Sequence, residues 1–68
     1  MHDYISSIFE LIRDLCKYTT ELSIDFDTLK KRTLSRGYTE EQLNETVDNY
    51  LSLNLLMCEN NVITLIDG

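Results

Sequence analysis

Sixty-eight residues allow one domain with one modest core, and an apolar fraction of 43% without low-complexity stretches argues against a disordered chain. Twelve Asp and Glu against six Lys and Arg leave a net charge of −6, a field that repels a phosphate backbone at long range. No apolar run approaches the ~20 residues of a membrane span, so neither a transmembrane helix nor a signal peptide is expected, and the chain is expected inside the cell.

The first helix is expected over about residues 3–17. Ile5, Ile8, Phe9, Ile12, Leu15 and Cys16 recur at helical spacing on one face, and Ser6, Glu10, Arg13, Asp14 and Lys17 on the other. Asp3 suits the N-cap, and Lys17 suits the negative end of the helix dipole. After a connector, Leu22-Ser23-Ile24 alternates apolar and polar residues and is expected to be a short strand over 22–24.

Asp25 or Asp27 then caps a second helix over about 25–36, with Phe26, Leu29 and Leu34 as its apolar contacts. Gly37 follows where a left-handed helix terminator belongs. Thr39-Glu40-Glu41-Gln42 is a capping-box pattern that opens a third helix over about 40–53. Its buried stripe is Leu43, Val47, Tyr50 and Leu51, and Glu41, Glu45, Asp48 and Ser52 lie opposite.

The chain closes in a hairpin with strands over about 55–59 and 62–66. Asn60-Asn61 forms its turn, because Asn tolerates the positive φ that a two-residue turn needs. That turn sets Cys58 opposite Ile63 and Leu56 opposite Leu65, placing four apolar side chains on one face. Met57 with Thr64, and Glu59 with Val62, occupy the other. Helix, strand, helix, tight turn, helix, hairpin is the order of a winged helix-turn-helix. The expected fold is therefore α+β (α/β in the broad sense), with three helices, one short strand and a C-terminal β-hairpin wing, as a single domain over 1–68.

Chemistry has little foothold. A phosphate-binding glycine loop is impossible with two glycines, and His2 is too near the terminus to serve a nucleophile. Glu40 and Glu41 are adjacent helical residues pointing about 100° apart, as a solvated surface requires and acid–base catalysis does not. Cys16 and Cys58 show no C-x-x-C spacing and cannot complete a zinc site with His2. A disulfide between them is open in principle; two buried thiols in the core are the expectation. No catalytic, cofactor-binding or metal residue is assigned.

DNA reading is the next use such a fold suggests. The third helix carries no Lys or Arg from Glu40 to Leu53, its outward stripe is acidic, and the wing tip offers no cation. The cations gather on the second helix instead, at Lys30, Lys31, Arg32 and Arg36. Arg32 and Arg36, four residues apart, share a stripe that could clamp a carboxylate or a phosphate, against the plainer reading of a solvated helix. The candidate partner contacts are Lys31, Arg32, Arg36 and Met57, the last with Leu55 on the mixed face of the wing. A free-standing winged-helix DNA-binding regulator is the alternative, and the missing cations count against it.

Ile8-Phe9-Glu10-Leu11-Ile12-Arg13-Asp14-Leu15, Ser35-Arg36-Gly37-Tyr38-Thr39 and Leu53-Asn54-Leu55 resemble the C-terminal winged-helix domain of the minichromosome maintenance (MCM) helicase, subunit seven of the eukaryotic hexamer above all. The resemblance covers nearly the whole chain, and the Ser-Arg-Gly-aromatic-Thr turn is its most specific part. Where that family often has Trp, this chain has Leu56. The resemblance implies a nuclear, ATP-dependent helicase as parent, with its motor N-terminal to Met1, so no ATP-binding residue carries over. It implies a tethered domain that contacts neighbouring subunits and origin-recognition or helicase-loading factors in replication licensing. Size and charge make a monomer the expectation, and the acidic third helix argues against strong DNA binding of its own.

Overall fold

The structure is a computed structural model and describes residues 3–66. The elements are α1 (Tyr4–Cys16), β1 (Ser23–Asp25), α2 (Phe26–Ser35), α3 (Glu40–Ser52), β2 (Leu56–Glu59) and β3 (Val62–Leu65). Three helices pack on a three-stranded antiparallel sheet of order β1-β3-β2, the winged helix-turn-helix arrangement the sequence pattern implied.

Each boundary has a local cause. At the start of α1 the Asp3 carboxylate accepts from the amides of Ile5 (3.2 Å) and Ser6 (3.4 Å) and from the Ser6 hydroxyl (2.8 Å). Those bonds, the Ser6 hydroxyl foremost, hold the Asp3 carboxyl below its usual pKa, so the cap is lost only as pH falls through that lowered value. Strand β1 begins at Ser23, one residue later than expected, because Leu22 adopts φ +55° and breaks the extended run. Asp25 stands at the N-cap of α2 but its side chain makes no capping bond. The Phe26 amide donates instead to the Asn61 carbonyl at 2.8 Å, tying the wing tip to the helix start.

The same device ends α2 and α3. Gly37, at φ +93°, donates to Leu34 O (3.0 Å) while Tyr38 donates to Thr33 O (3.3 Å), the paired bonds of a Schellman terminator. After α3, Asn54 at φ +60° donates to Leu51 O (3.1 Å) and Leu55 donates to Tyr50 O (3.0 Å). Leu55 spends its amide on that bond, so β2 starts at Leu56, although the Leu55 carbonyl still accepts from Ile66 (3.0 Å). The hairpin register is Leu56↔Leu65, Met57↔Thr64, Cys58↔Ile63 and Glu59↔Val62, as the two-residue turn demanded, with Asn60 and Asn61 at φ +52° and +64°.

Ile8 and Ile12 of α1, Leu29 of α2, Leu43 of α3 and Ile63 of β3 are fully buried and form the centre of the core with Cys16, Val47 and Leu56. Phe9 of α1 stacks on Tyr50 of α3, rings 3.8 Å apart and 13° from parallel. Several side chains depart from the expected faces. Leu34 is 44% exposed, because α2 turns Phe26, Leu29 and Thr33 inward and residue 34 falls off that stripe. Leu11 is buried beside the expected stripe of α1. Thr33 and Thr46 occupy core positions by donating their hydroxyls to Leu29 O and Gln42 O, each at 2.8 Å, so neither is left unsatisfied. Cys58 is exposed rather than core: it faces the same side as Ile63 but lies on the edge strand, one pair from the turn.

Gly37→Ala isolates the backbone part of the turn, since an added Cβ meets nothing within 4 Å. Urea denaturation should show a loss of about 1–2 kcal/mol, the cost of a positive φ for an L-residue. A loss below about 0.3 kcal/mol would show that the turn tolerates another conformation.

Candidate functional site

In this architecture α2, the Gly37 turn and α3 make the helix-turn-helix, and β2–β3 is the wing. The turn is closed from the α3 side by a complete capping box. The Gln42 amide donates to Thr39 Oγ1 at 3.1 Å, and the Thr39 amide donates to Gln42 Oε1 at 2.9 Å. Lys30 on α2 meets Glu40 on α3 at 3.3 Å across the junction, with both side chains partly solvated. An exposed pair of this kind adds at most about 1 kcal/mol, so it trims the junction and does not create it.

The α3 helix is the element that would enter a DNA groove, and its exposed side carries Glu41, Glu45 and Asp48. Glu45 also accepts a hydrogen bond from the Tyr4 hydroxyl of α1, which raises the Tyr4 pKa above its usual value. At the wing tip, Asn60 and Asn61 are flanked by Glu59 and Val62, with no cation. Asn44 and Asn49 are exposed on α3, but no Arg or Lys accompanies them there to meet a phosphate backbone.

The cationic residues are distributed as the sequence suggested. Lys31, Arg32 and Arg36 are exposed, and none of the three makes an ion pair among the described residues. Lys31 and Arg32 lie on α2 and Arg36 is its C-cap. They cluster at the helix end where the dipole favours positive charge. Met57 lies on the wing opposite Thr64 and is 47% exposed, so the candidate contacts are divided between the wing and α2 with its cap.

Sequence reasoning missed a third surface. Phe9, Glu10, Arg13, Asp14 and Lys17 of α1, with Leu22, Leu55, Leu65 and Ile66, line an open groove of about 660 Å3. Lys17 and Asp14 on its rim pair at 3.2 Å. Leu55 and Ile66 are 40% and 39% exposed there, and Leu53 nearby in sequence is 57% exposed. No single-element pattern could find this groove, because it is assembled from α1, the β1 approach and the ends of the hairpin. The apolar character of Leu53-x-Leu55 was the available signal.

Among the described residues no group of three or more His, Cys, Asp or Glu is placed to hold a metal. His2 lies outside the described residues. No described helix is long and apolar enough to cross a membrane. Both cysteines are free thiols. Burial pushes the Cys16 thiol above its usual pKa, whereas Cys58 stands in solvent.

Helix-turn-helix, central β3 and hairpin wing define a winged-helix domain whose groove-facing helix is acid-coated. Comparison with known families makes the assignment specific. Residues 6–66 match the family described as DNA replication licensing factor MCM7, winged helix, and the chain belongs to that family. It is 31% identical over 65 residues to DNA replication licensing factor mcm7 of Schizosaccharomyces pombe, an alignment covering 88% of this chain and 9% of that protein. The chain therefore spans less than a tenth of that relative's length. No solved structure matches it.

The different settings of the two thiols give a direct check of the fold. In native chain, a thiol reagent such as DTNB should modify Cys58 quickly and Cys16 only on unfolding. Two equally fast thiols would contradict the placement of Cys16 in the core.

Proposed function

We propose that this chain is a non-catalytic protein-contact module of an MCM helicase subunit, working in replication licensing and helicase loading and not in DNA reading. The observation that supports it most is α3, whose exposed side presents Glu41, Glu45 and Asp48 and no Lys or Arg. A groove-binding helix with that face meets phosphates with like charge, adding to a net charge of −6. The scaffold keeps the geometry of a nucleic-acid reader and inverts its electrostatics.

What remains for recognition is protein-like. Leu55, Met57 and Ile66 are large side chains between 39% and 47% exposed on one end and face of the sheet. An apolar centre within a polar rim is the usual anatomy of a protein interface, and Met is among the residues enriched there. The partners proposed are other MCM subunits and origin-recognition or helicase-loading factors, in the nucleus, with the ATP-driven motor elsewhere in the parent. By itself the domain is proposed to be a monomer, since its charge opposes self-association.

Two measurements test this reading. Fluorescence anisotropy of labelled duplex and single-stranded DNA at ~50 mM salt, where phosphate contacts are strongest, should show no saturable binding. In the parent subunit, Leu55→Glu with Met57→Glu should weaken co-purification with the other MCM subunits or loading factors while leaving the thermal midpoint of the isolated chain within about 3 °C, because neither side chain belongs to the buried core. Salt-sensitive DNA binding, together with unchanged partner recovery in the double variant, would replace the interaction module with a DNA-binding one.

A further inference from the structure

We infer that the exposed face of α2 is a docking site for an acidic segment of a protein partner, one that presents carboxylates a helical turn apart. The inference rests on the interaction-module reading and names the chemistry of one partner.

Four of the chain's six cations lie between residues 30 and 36. Lys30 is already engaged by Glu40 at 3.3 Å. Lys31, Arg32 and Arg36 are left exposed and without an ion-pair partner among the described residues. Arg32 and Arg36 are four residues apart, so their side chains rise from the helix end about 6 Å from one another along its axis. Lys31 sits beside them on the exposed side, where Ser35 adds a hydroxyl. Core contacts lie on the opposite side of the helix, at Leu29 and Thr33, so occupying this face requires no repacking.

Complementarity of charge selects the occupant. Each guanidinium offers a planar fork of donors that matches a carboxylate with two bonds, and a ladder of Glu or Asp at i and i+4 repeats at the spacing of the two arginines. A second copy of this chain offers the same ladder at Glu41 and Glu45, but the −6 carried by each copy opposes that pairing. DNA fits less well than a short acidic segment. Its backbone places a negative charge every ~1.7 Å and runs well beyond the three free cations. Beyond them lie Asp27 at the start of α2 and Glu40 and Glu41 at the start of α3, all exposed. A peptide whose carboxylates span only Arg32 and Arg36 meets fewer of those acids than a duplex does, although Asp27 stands one turn from Lys31.

The test is a titration of the 15N-labelled chain, observed by NMR at ~50 mM salt, with three synthetic probes. One is a capped Ala-rich peptide with Glu at every fourth position. A second has the same composition with its Glu residues brought together two positions apart, and the third is a short duplex DNA. The first peptide should shift the amides of residues 31–37 saturably and bind more tightly than the other two. Arg32→Ala with Arg36→Ala should weaken it about fivefold or more, as the loss of two exposed ion pairs predicts, with an unchanged thermal midpoint. Tighter binding of the duplex to those amides would overturn the inference in favour of a phosphate site. Shifts on the wing or groove, or equal binding by the double variant, would overturn it outright. The interaction-module reading would survive either peptide failure if Leu55→Glu with Met57→Glu still blocked partner recovery, so the two can fail separately.

Discussion

The junction between α2 and α3 is the constraint on which the rest of the molecule depends. Thr33 stands at its centre. Its hydroxyl donates to Leu29 O at 2.8 Å, which lets a polar residue sit fully buried, and its carbonyl accepts from Arg36 at 3.1 Å and Tyr38 at 3.3 Å. Gly37 supplies the positive φ that bends the chain back, and Thr39 with Gln42 satisfies the first amides of α3. A helix end buried without such partners would cost a few kcal/mol in unpaired backbone groups. With α2 fixed relative to α3, Leu29, Leu43 and Val47 face the same interior, and α1 and β3 complete it with Ile8, Ile12 and Ile63.

Fixing that angle also fixes the charge map. Residues turned inward by the junction are apolar or self-satisfied, so the charged ones must emerge on the far sides of the two helices. On α3 these are Glu41, Glu45 and Asp48; on α2 they are Lys31 and Arg32, with Arg36 at its cap. Lys30 and Glu40 meet at the seam between the two fields. The domain thus carries a cationic face and an anionic face on adjacent helices, joined by one turn. Fields so arranged orient a partner during encounter more than they hold it.

The features legible in the sequence were those set by local rules. A Gly where a helix must reverse, a Thr-x-x-Gln cap and a two-residue Asn-Asn turn each depend on neighbours within a few positions, and each was found where its pattern lay. The family resemblance rested on the same turn, and the match over residues 6–66 agrees with it. Errors arose where tertiary position decides. Cys58 was assigned to the core because it shares a face with Ile63, yet Ile63 has a strand on either side and Cys58 has one. Leu34 was assigned inward on hydrophobicity alone, whereas Thr33 took the inward position by bonding its own helix. Leu22 reads as strand by composition but adopts φ +55° as the chain turns from Thr19 into the sheet. The groove beneath Leu55 and Ile66 is wholly a tertiary product and left only exposed leucines as its trace.

The charges on the exposed faces of a winged helix can change without loss of the fold. The interior uses only the inward stripe of each helix, and the exposed stripe of α3 contributes little to stability apart from the Tyr4–Glu45 contact. Substitution on that stripe therefore has little structural consequence, and Glu41, Glu45 and Asp48 stand there without disturbing the interior. The α2 face is equally free, yet there the cations remain, three of them without a partner among the described residues. In a chain with twice as many acids as bases, an unpaired cluster of like charge lowers the stability of its own helix slightly through repulsion. An acidic segment laid across Arg32 and Arg36 would relieve that repulsion, and the relief is available only in the bound state.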